Sequence, residues 1–138
     1  MALVLIVDDL AESRHFLSVL VRAAGHVART AETGEEALRE IRSAPIDVVL
    51  LDVCMPNMSG VQVLEELEHD PPAHRPRVIV MTASPDSDLE HRIVSELHAD
   101  GFLSKSDLDF AWLSMVLNSE TVAVDELPER ASMLRQAV

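Results

Sequence analysis

The chain has a single cysteine, Cys54, no tyrosine, one tryptophan, three phenylalanines and only four glycines in 138 residues. One cysteine excludes an internal disulfide and any cysteine-based zinc site. Neither a G-x-G-x-x-G turn nor a P-loop pattern occurs, which sets aside nucleotide- and flavin-binding modules built on glycine-rich phosphate loops. Positive charge is scarce too: 11 Lys and Arg stand against 24 Asp and Glu, a formal net charge of -13, with no Lys/Arg cluster as a local exception. Such a surface repels nucleic-acid phosphates, so direct DNA contact is not expected. The apolar runs, such as Val48 to Leu51 and Val78 to Met81, fall far short of the roughly 20 residues of a membrane span. No basic-then-apolar signal segment opens the chain. These absences lead to the expectation of a soluble, cytoplasmic protein without a membrane partner.

The sequence does contain regular alternation, in a length that suits one domain with a single core. "LVLIV" (Leu3 to Val7), "VVLL" (Val48 to Leu51) and "VIVM" (Val78 to Met81) are short continuous apolar runs, the pattern of strands buried on both faces. Between them lie helical stripes. Ser13 to Ala24 places Phe16, Leu17, Leu20 and Val21 on one face before Gly25, a helix stop. Gly34 to Ser43 carries Ala37, Leu38 and Ile41, and Gly60 to His69 carries Val61, Leu64 and Leu67 before the proline-rich "DPPAHRP". A fourth helix starts near "SPDSD", capped by Ser84 or Asp86, and runs through Leu89, Ile93 and Leu97; Asp107 to Asn118 reads as a fifth. "HVART" near Val27 and "GFLS" near Phe102 complete five strands. Alternation of strand and helix predicts an α/β fold, a doubly wound parallel sheet with right-handed crossovers and helices on both faces. Five strands fit the flavodoxin-like order 2-1-3-4-5, for which flavodoxin and a chemotaxis receiver are standard illustrations.

In such sheets the site lies at the carboxyl ends of the strands. Strand one ends in Asp8 and Asp9, strand three in Asp52, strand four in Thr82, and Lys105 follows strand five. Any one of these alone reads as a cap or turn former. Together they make a site. In the 2-1-3-4-5 order strands one and three are neighbours about 4.8 Å apart, so three carboxylates share a small volume. Two like charges about 4 Å apart repel by about 4 kcal/mol at an effective dielectric near 20, so the group asks for a cation or for protonation. Oxygen ligands on a partly open rim suit Mg²⁺, and a nearby lysine and hydroxyl make sense if a phosphoryl group joins it.

"VDD" at 7 to 9, "LLDVCMPNMSG" at 50 to 60, "MTA" at 81 to 83 and "ADGFLSK" at 99 to 105 together resemble the signature of response-regulator receiver domains, in order and spacing. The resemblance spans roughly residues 3 to 119, implying a receiver domain over 1–119 and a C-terminal tail or linker over 120–138. It implies that Asp52 accepts a phosphoryl group from a histidine kinase or phosphotransfer protein. Asp8 and Asp9 match the acidic pair that holds Mg²⁺ or Mn²⁺ with Asp52, and the backbone carbonyl of Cys54 matches a further ligand. Lys105 and Thr82 match the groups that meet phosphoryl oxygens, and Phe102 matches the aromatic that turns inward when the hydroxyl moves. The implied activity is that of a phosphoacceptor switch, not an enzyme, which assists its own phosphorylation and dephosphorylation. It would control a protein partner or output domain through its helix 4, strand 5, helix 5 surface. One residue departs from the pattern: Ser106 follows Lys105 where the family usually has a proline after a cis peptide. Because a non-proline cis bond costs about 2.5–4 kcal/mol, the Lys105-Ser106 bond is expected to be trans. His98 likewise stands where the family often has glycine.

A rival from another class is an aspartyl-nucleophile, Mg²⁺-dependent phosphatase of haloacid-dehalogenase type. That type carries a second acid two residues after the nucleophile, and here Cys54 holds that place. The six histidines are scattered without a close pair at ligand spacing and read as surface or edge residues; His91 and His98, seven apart, could line a partner face. Cys54, with no resolving cysteine, is expected to tune water access to an acyl phosphate together with Ala83 and Ser84, rather than act as a redox switch. Gly60 is expected to supply a backbone conformation that other residues resist. Phe110 and Trp112 read as packing residues, and exposure of Trp112 would mark a docking face. After Glu120, "ERASMLRQAV" is able to form a short helix, but the tail is too short and too little basic for a DNA-binding output domain.

Overall fold

The three continuous apolar runs become the three inner strands of a five-stranded, all-parallel sheet of order β2-β1-β3-β4-β5. This computed structural model describes residues 1–55, 58–83 and 87–118. The elements are β1 (Leu3–Val7), α1 (Ala11–Ala23), β2 (Val27–Ala31), α2 (Gly34–Ser43), β3 (Val48–Asp52), α3 (Gly60–His69), β4 (Arg77–Thr82), α4 (Ser87–His91), β5 (Gly101–Ser104) and α5 (Phe110–Asn118). Every residue of β3 is buried, whereas β2, at the edge, is mostly exposed. A continuous run is needed only where both faces are covered.

Alternate strand residues feed two cores. Leu5, Val7, Val49, Leu51, Val80 and Phe102 face a layer made by α2, α3 and Ile93. Val4, Ile6, Leu50, Ile79, Met81 and Leu103 face α1 and α5. A fully buried Leu such as Leu50 contributes about 1.5–3 kcal/mol. At the amino ends of the strands two carboxylates close the sheet: Asp47 accepts the Leu3 N–H and Asp100 the Val78 N–H, both at 2.8 Å. Unpaired strand amides are thereby satisfied.

Local sequence explains the helix ends. Ser59 and Gln62 form a reciprocal capping box at the start of α3, and the Thr33 side chain caps α2 by accepting from the Glu36 N–H. α1 ends in a Schellman turn, with the Gly25 N–H donating to Arg22 O and the His26 N–H to Val21 O. Gly25 has φ 92, in the left-handed region, with nothing within 4 Å of where a Cβ would lie. Gly25→Ala is expected to lower stability by about 1 kcal/mol through backbone conformation alone, measured as a shift in the urea midpoint at unchanged m-value.

The helix boundaries of α2 and α3 coincide with the sequence expectation, but several other readings need correction. α1 begins two residues early, at Ala11. Phe16, expected on its buried stripe, is 54% exposed, because α1 packs on the sheet through Leu17 and Val21, with Leu20 beside them. The fourth helix is not one continuous α-helix: α4 gives way at Arg92 to a π-helical turn, Arg92–Glu96, which closes with the Leu97 N–H on Arg92 O. Ile93 remains buried, and His98 turns the chain with φ 58 while its Nδ1 lies 3.2 Å from Glu68 Oε1. The fifth helix starts at Phe110; Lys105–Asp107 is a separate 3₁₀ turn. His26 is not a surface histidine: it is buried, Nδ1 accepting from the Ala2 N–H at 2.8 Å and Nε2 lying 2.9 Å from Asn118 Oδ1. Trp112 is buried, so the expectation of packing holds, while Phe110 is half-exposed. Pro56, Ser84, Asp86 and the tail 120–138 lie outside the described residues.

Candidate functional site

The register sets the site. Val7 pairs with Leu51 across β1 and β3, so Asp8 and Asp52, each one residue further on, emerge level with one another on neighbouring strands. Thr82 pairs with Ser104 across β4 and β5, and Lys105 follows directly. All five groups picked out from the sequence therefore stand along the carboxyl edge of the sheet. Oxygen atoms of Asp8, Asp9 and Asp52 all lie within 4.8 Å of one another. Asp8, Asp52 and Thr82 are buried and Asp9 is half-buried.

Lys105 is the internal counter-charge. Its Nζ donates to Asp8 Oδ2 at 2.7 Å and lies 3.4 Å from Asp52 Oδ2. Asp52 Oδ1 accepts the Cys54 N–H at 3.2 Å, and Asp8 Oδ1 accepts the Leu10 N–H at 3.0 Å. Burial pushes the Asp52 carboxyl above its usual range. The charge of Lys105 and the Cys54 N–H pull it back in part, and the charge of Asp8 adds to the rise. For Lys105 burial alone would lower the ammonium, but the hydrogen bond to Asp8 and the attraction of Asp52 and Asp8 outweigh it and hold it raised. The Lys105-Ser106 peptide is trans, as expected, and Ser106 Oγ lies 2.9 Å from Ser104 Oγ.

The donor set fits a hard divalent cation. Three carboxylates against one ammonium leave two negative charges when all are ionised, in an all-oxygen group at a partly open rim, the chemistry of Mg²⁺ sites. Cys54 contributes its N–H to Asp52, and its side chain is exposed. Phe102, at 4% exposure, already points into the core between β4 and the π-helical turn, packed with Val80 and Ile93.

Two features escaped the sequence reading. Gly60 does not adopt a left-handed conformation; its glycine is required because a Cβ would stand 2.7 Å from Asp52 O and 2.8 Å from Val53 Cα. Arg14, in the first turn of α1, reaches back over the strand end and donates from Nη1 to the backbone oxygen of Asp8 at 2.8 Å, with Nη2 3.4 Å from Glu32 Oε1. Helical side chains lean towards the amino end of their helix, so a long cation one turn past a strand-end aspartate is the one cue that could have found it.

With this geometry in place, comparison with known proteins is direct. The family model of the response regulator receiver domain matches residues 4–116. Among curated proteins, the chain is 34% identical over 105 residues to the sensory transduction protein RegX3 of Mycobacterium tuberculosis, covering 76% of this chain and 44% of that one. It is 32% identical over 120 residues to a gliding motility regulatory protein of Myxococcus xanthus, covering 86% of this chain and 15% of that one. The chain thus spans less than half the length of these curated relatives. Among solved structures, the chemotaxis protein CheY4 of Vibrio cholerae superposes with a TM-score of 0.76 at 28% identity, over 85% of this chain and 96% of that one. The response regulator TrrA of Thermotoga maritima, in complex with Mg²⁺ and BeF, superposes with a TM-score of 0.73 at 30% identity, over 88% of this chain and 100% of that one.

Proposed function

Because the chain belongs to the response regulator receiver family of two-component signalling, we propose that Asp52 is its phosphoacceptor and that Asp8, Asp9 and Asp52 hold Mg²⁺ or Mn²⁺. The observation that carries this reading is the cluster of three carboxylates with Lys105 reaching two of them. A carboxylate oxygen of Asp52 attacks phosphorus on a phosphohistidine of a kinase or phosphotransfer protein. The P–N bond breaks as the P–O bond forms, and its electron pair returns to the imidazole. Water later cleaves the acyl phosphate, releasing inorganic phosphate and restoring the carboxylate. The divalent cation, when bound, neutralises charge on the transferring group, with the backbone carbonyl of Cys54 as a further ligand.

The chain's own groups do the rest. Lys105, raised and cationic at neutral pH, pairs with a phosphoryl oxygen, and the N–H groups after Asp52 supply further donors. Thr82 and Phe102 carry the change towards α4, β5 and α5, where phosphorylation shifts a population between two conformations. Two features support an output surface there: α4 passes into a π-helical turn, a feature often found at functional sites, and α5 has no charged residue while exposing Phe110 and Met115. The partner on that face is a protein or an output domain. Among the described residues no helix is long and apolar enough to cross a membrane, and the cytoplasm is the proposed location. The phosphatase alternative gains no support, with Cys54 where its second acid belongs.

The test is to incubate the full chain with Mg²⁺ and acetyl phosphate and follow intact mass. The expected result is a gain of one phosphoryl group that Asp52→Asn abolishes, with a beryllofluoride response showing the same dependence. Equal labelling of wild type and Asp52→Asn would sink the assignment.

A further inference from the structure

We propose that Arg14 is a positioning residue for the divalent cation, fixing the joint between Asp8 and Asp9. The inference rests on the reading of Asp8, Asp9 and Asp52 as the metal site and names what holds that site in shape. Consecutive residues of an extended strand would point to opposite faces, but β1 ends at Val7 and the chain bends at Asp9, so that Asp8 and Asp9 bring oxygens into one group within 4.8 Å. The backbone must leave strand geometry between them. The peptide carbonyl of Asp8 is that joint, and it is the atom Arg14 Nη1 grips at 2.8 Å.

The rest of the guanidinium is anchored across the neighbouring loop, Nη2 lying 3.4 Å from Glu32 Oε1 just past β2. The Arg14 side chain is 16% exposed, so the contact is shielded, while the carboxylate of Glu32 at 68% is open to water. The Asp8 N–H already bonds to Ala31 O and Asp8 Oδ1 to the Leu10 N–H. With Arg14, and with Lys105 Nζ on Oδ2 at 2.7 Å, four bonds hold the Asp8 residue, and of these the Arg14 bond falls on the peptide that leads to Asp9.

Charge and positioning predict opposite signs. By charge alone Arg14 repels a divalent cation, so its removal should tighten binding. As a positioning residue its removal should loosen binding, on the scale of about tenfold seen when partners that orient metal ligands are lost. The experiment measures the Mg²⁺ dissociation constant by titration calorimetry, with the Mg²⁺-induced rise in Tm alongside, for full-length wild type, Arg14→Met and Arg14→Lys. Arg14→Met is expected to bind about tenfold more weakly. Arg14→Lys keeps the charge but loses the fork that spans Asp8 O and Glu32, so it should fall between the two. If Arg14→Met does not fold, weaker binding by Arg14→Lys still reads positioning, because the charge is unchanged. Binding by either variant as tight as wild type or tighter overturns the proposal, as does a lowered metal-free Tm with unchanged Mg²⁺ affinity. Absence of Mg²⁺ binding by wild type would instead overturn the metal reading itself, and this inference with it.

Discussion

Lys105→Met is expected to slow the proposed phosphorylation of Asp52 by acetyl phosphate by about a hundredfold, the scale of losing one preorganised donor to developing charge, and to make the metal-free protein less stable but more responsive to Mg²⁺. The three effects share one cause. Lys105 Nζ is 2.7 Å from Asp8 Oδ2 and 3.4 Å from Asp52 Oδ2, and both carboxylates are almost wholly buried. Without the ammonium they face one another uncompensated. Breaking a buried pair costs about 3–5 kcal/mol, and because the Lys105 side chain is 22% exposed, water recovers part, leaving about 2 kcal/mol. The raised ammonium contributes its stability fully below the ordinary lysine value of 10.5 and loses it only as pH rises through the folded-state value, so the whole loss is present at pH 7. Mg²⁺ then meets three carboxylates with no competing cation and binds more tightly than in wild type, and ligand that binds only the folded state raises Tm accordingly. Thermal melts with and without Mg²⁺, beside labelling rates, check each part. A Mg²⁺-induced Tm rise no larger than that of wild type would contradict the counter-charge role.

Which strands lie inside was legible because β1, β3 and β4 are buried on both faces and so cannot alternate polar and apolar residues, whereas their order came from the standard doubly wound arrangement. The strand-end residues were legible for a related reason: once the order is known, register places Asp8 beside Asp52 without any side-chain calculation. What stayed hidden depends on tertiary contact. Phe16 obeys helical periodicity, yet only the sheet decides how wide the buried stripe of α1 is. The π-helical turn after His91 leaves no trace in a hydrophobic pattern whose apolar positions, Leu89, Ile93 and Leu97, suit a regular helix. His26 looked like any other histidine until α5 brought Asn118 to its ring. Arg14 was hidden by its class: a charged residue in a first turn reads as solvated surface unless one asks which backbone oxygen lies behind it.

Gly60→Ala shows how far local propensity can mislead, and it carries the largest expected effect on stability. Gly60 is the first residue of α3, and in a helix alanine is ordinarily favoured over glycine by about 1 kcal/mol. Here the sign reverses. The added methyl would stand 2.7 Å from Asp52 O and 2.8 Å from Val53 Cα, and both are backbone atoms of the β3-to-α3 loop that cannot swing aside. The Gly60 N–H also donates to Val53 O at 3.1 Å, so separating the helix from the loop to relieve the clash strains that bond as well. Overpacking of this kind costs about 1–3 kcal/mol, and the upper end is expected where backbone meets backbone, a fall in Tm on the order of 10 °C. Relief by moving the loop shifts Cys54, whose N–H holds Asp52 Oδ1, so labelling by acetyl phosphate should slow in the fraction that remains folded. Gly25→Ala is the control. There φ is 92 with open space around the Cβ position, so the loss is conformational, about 1 kcal/mol, and leaves labelling unchanged. A Gly60→Ala protein as stable as wild type, or one that loses less than Gly25→Ala, would show that the β3-to-α3 loop yields and that close approach does not explain this glycine.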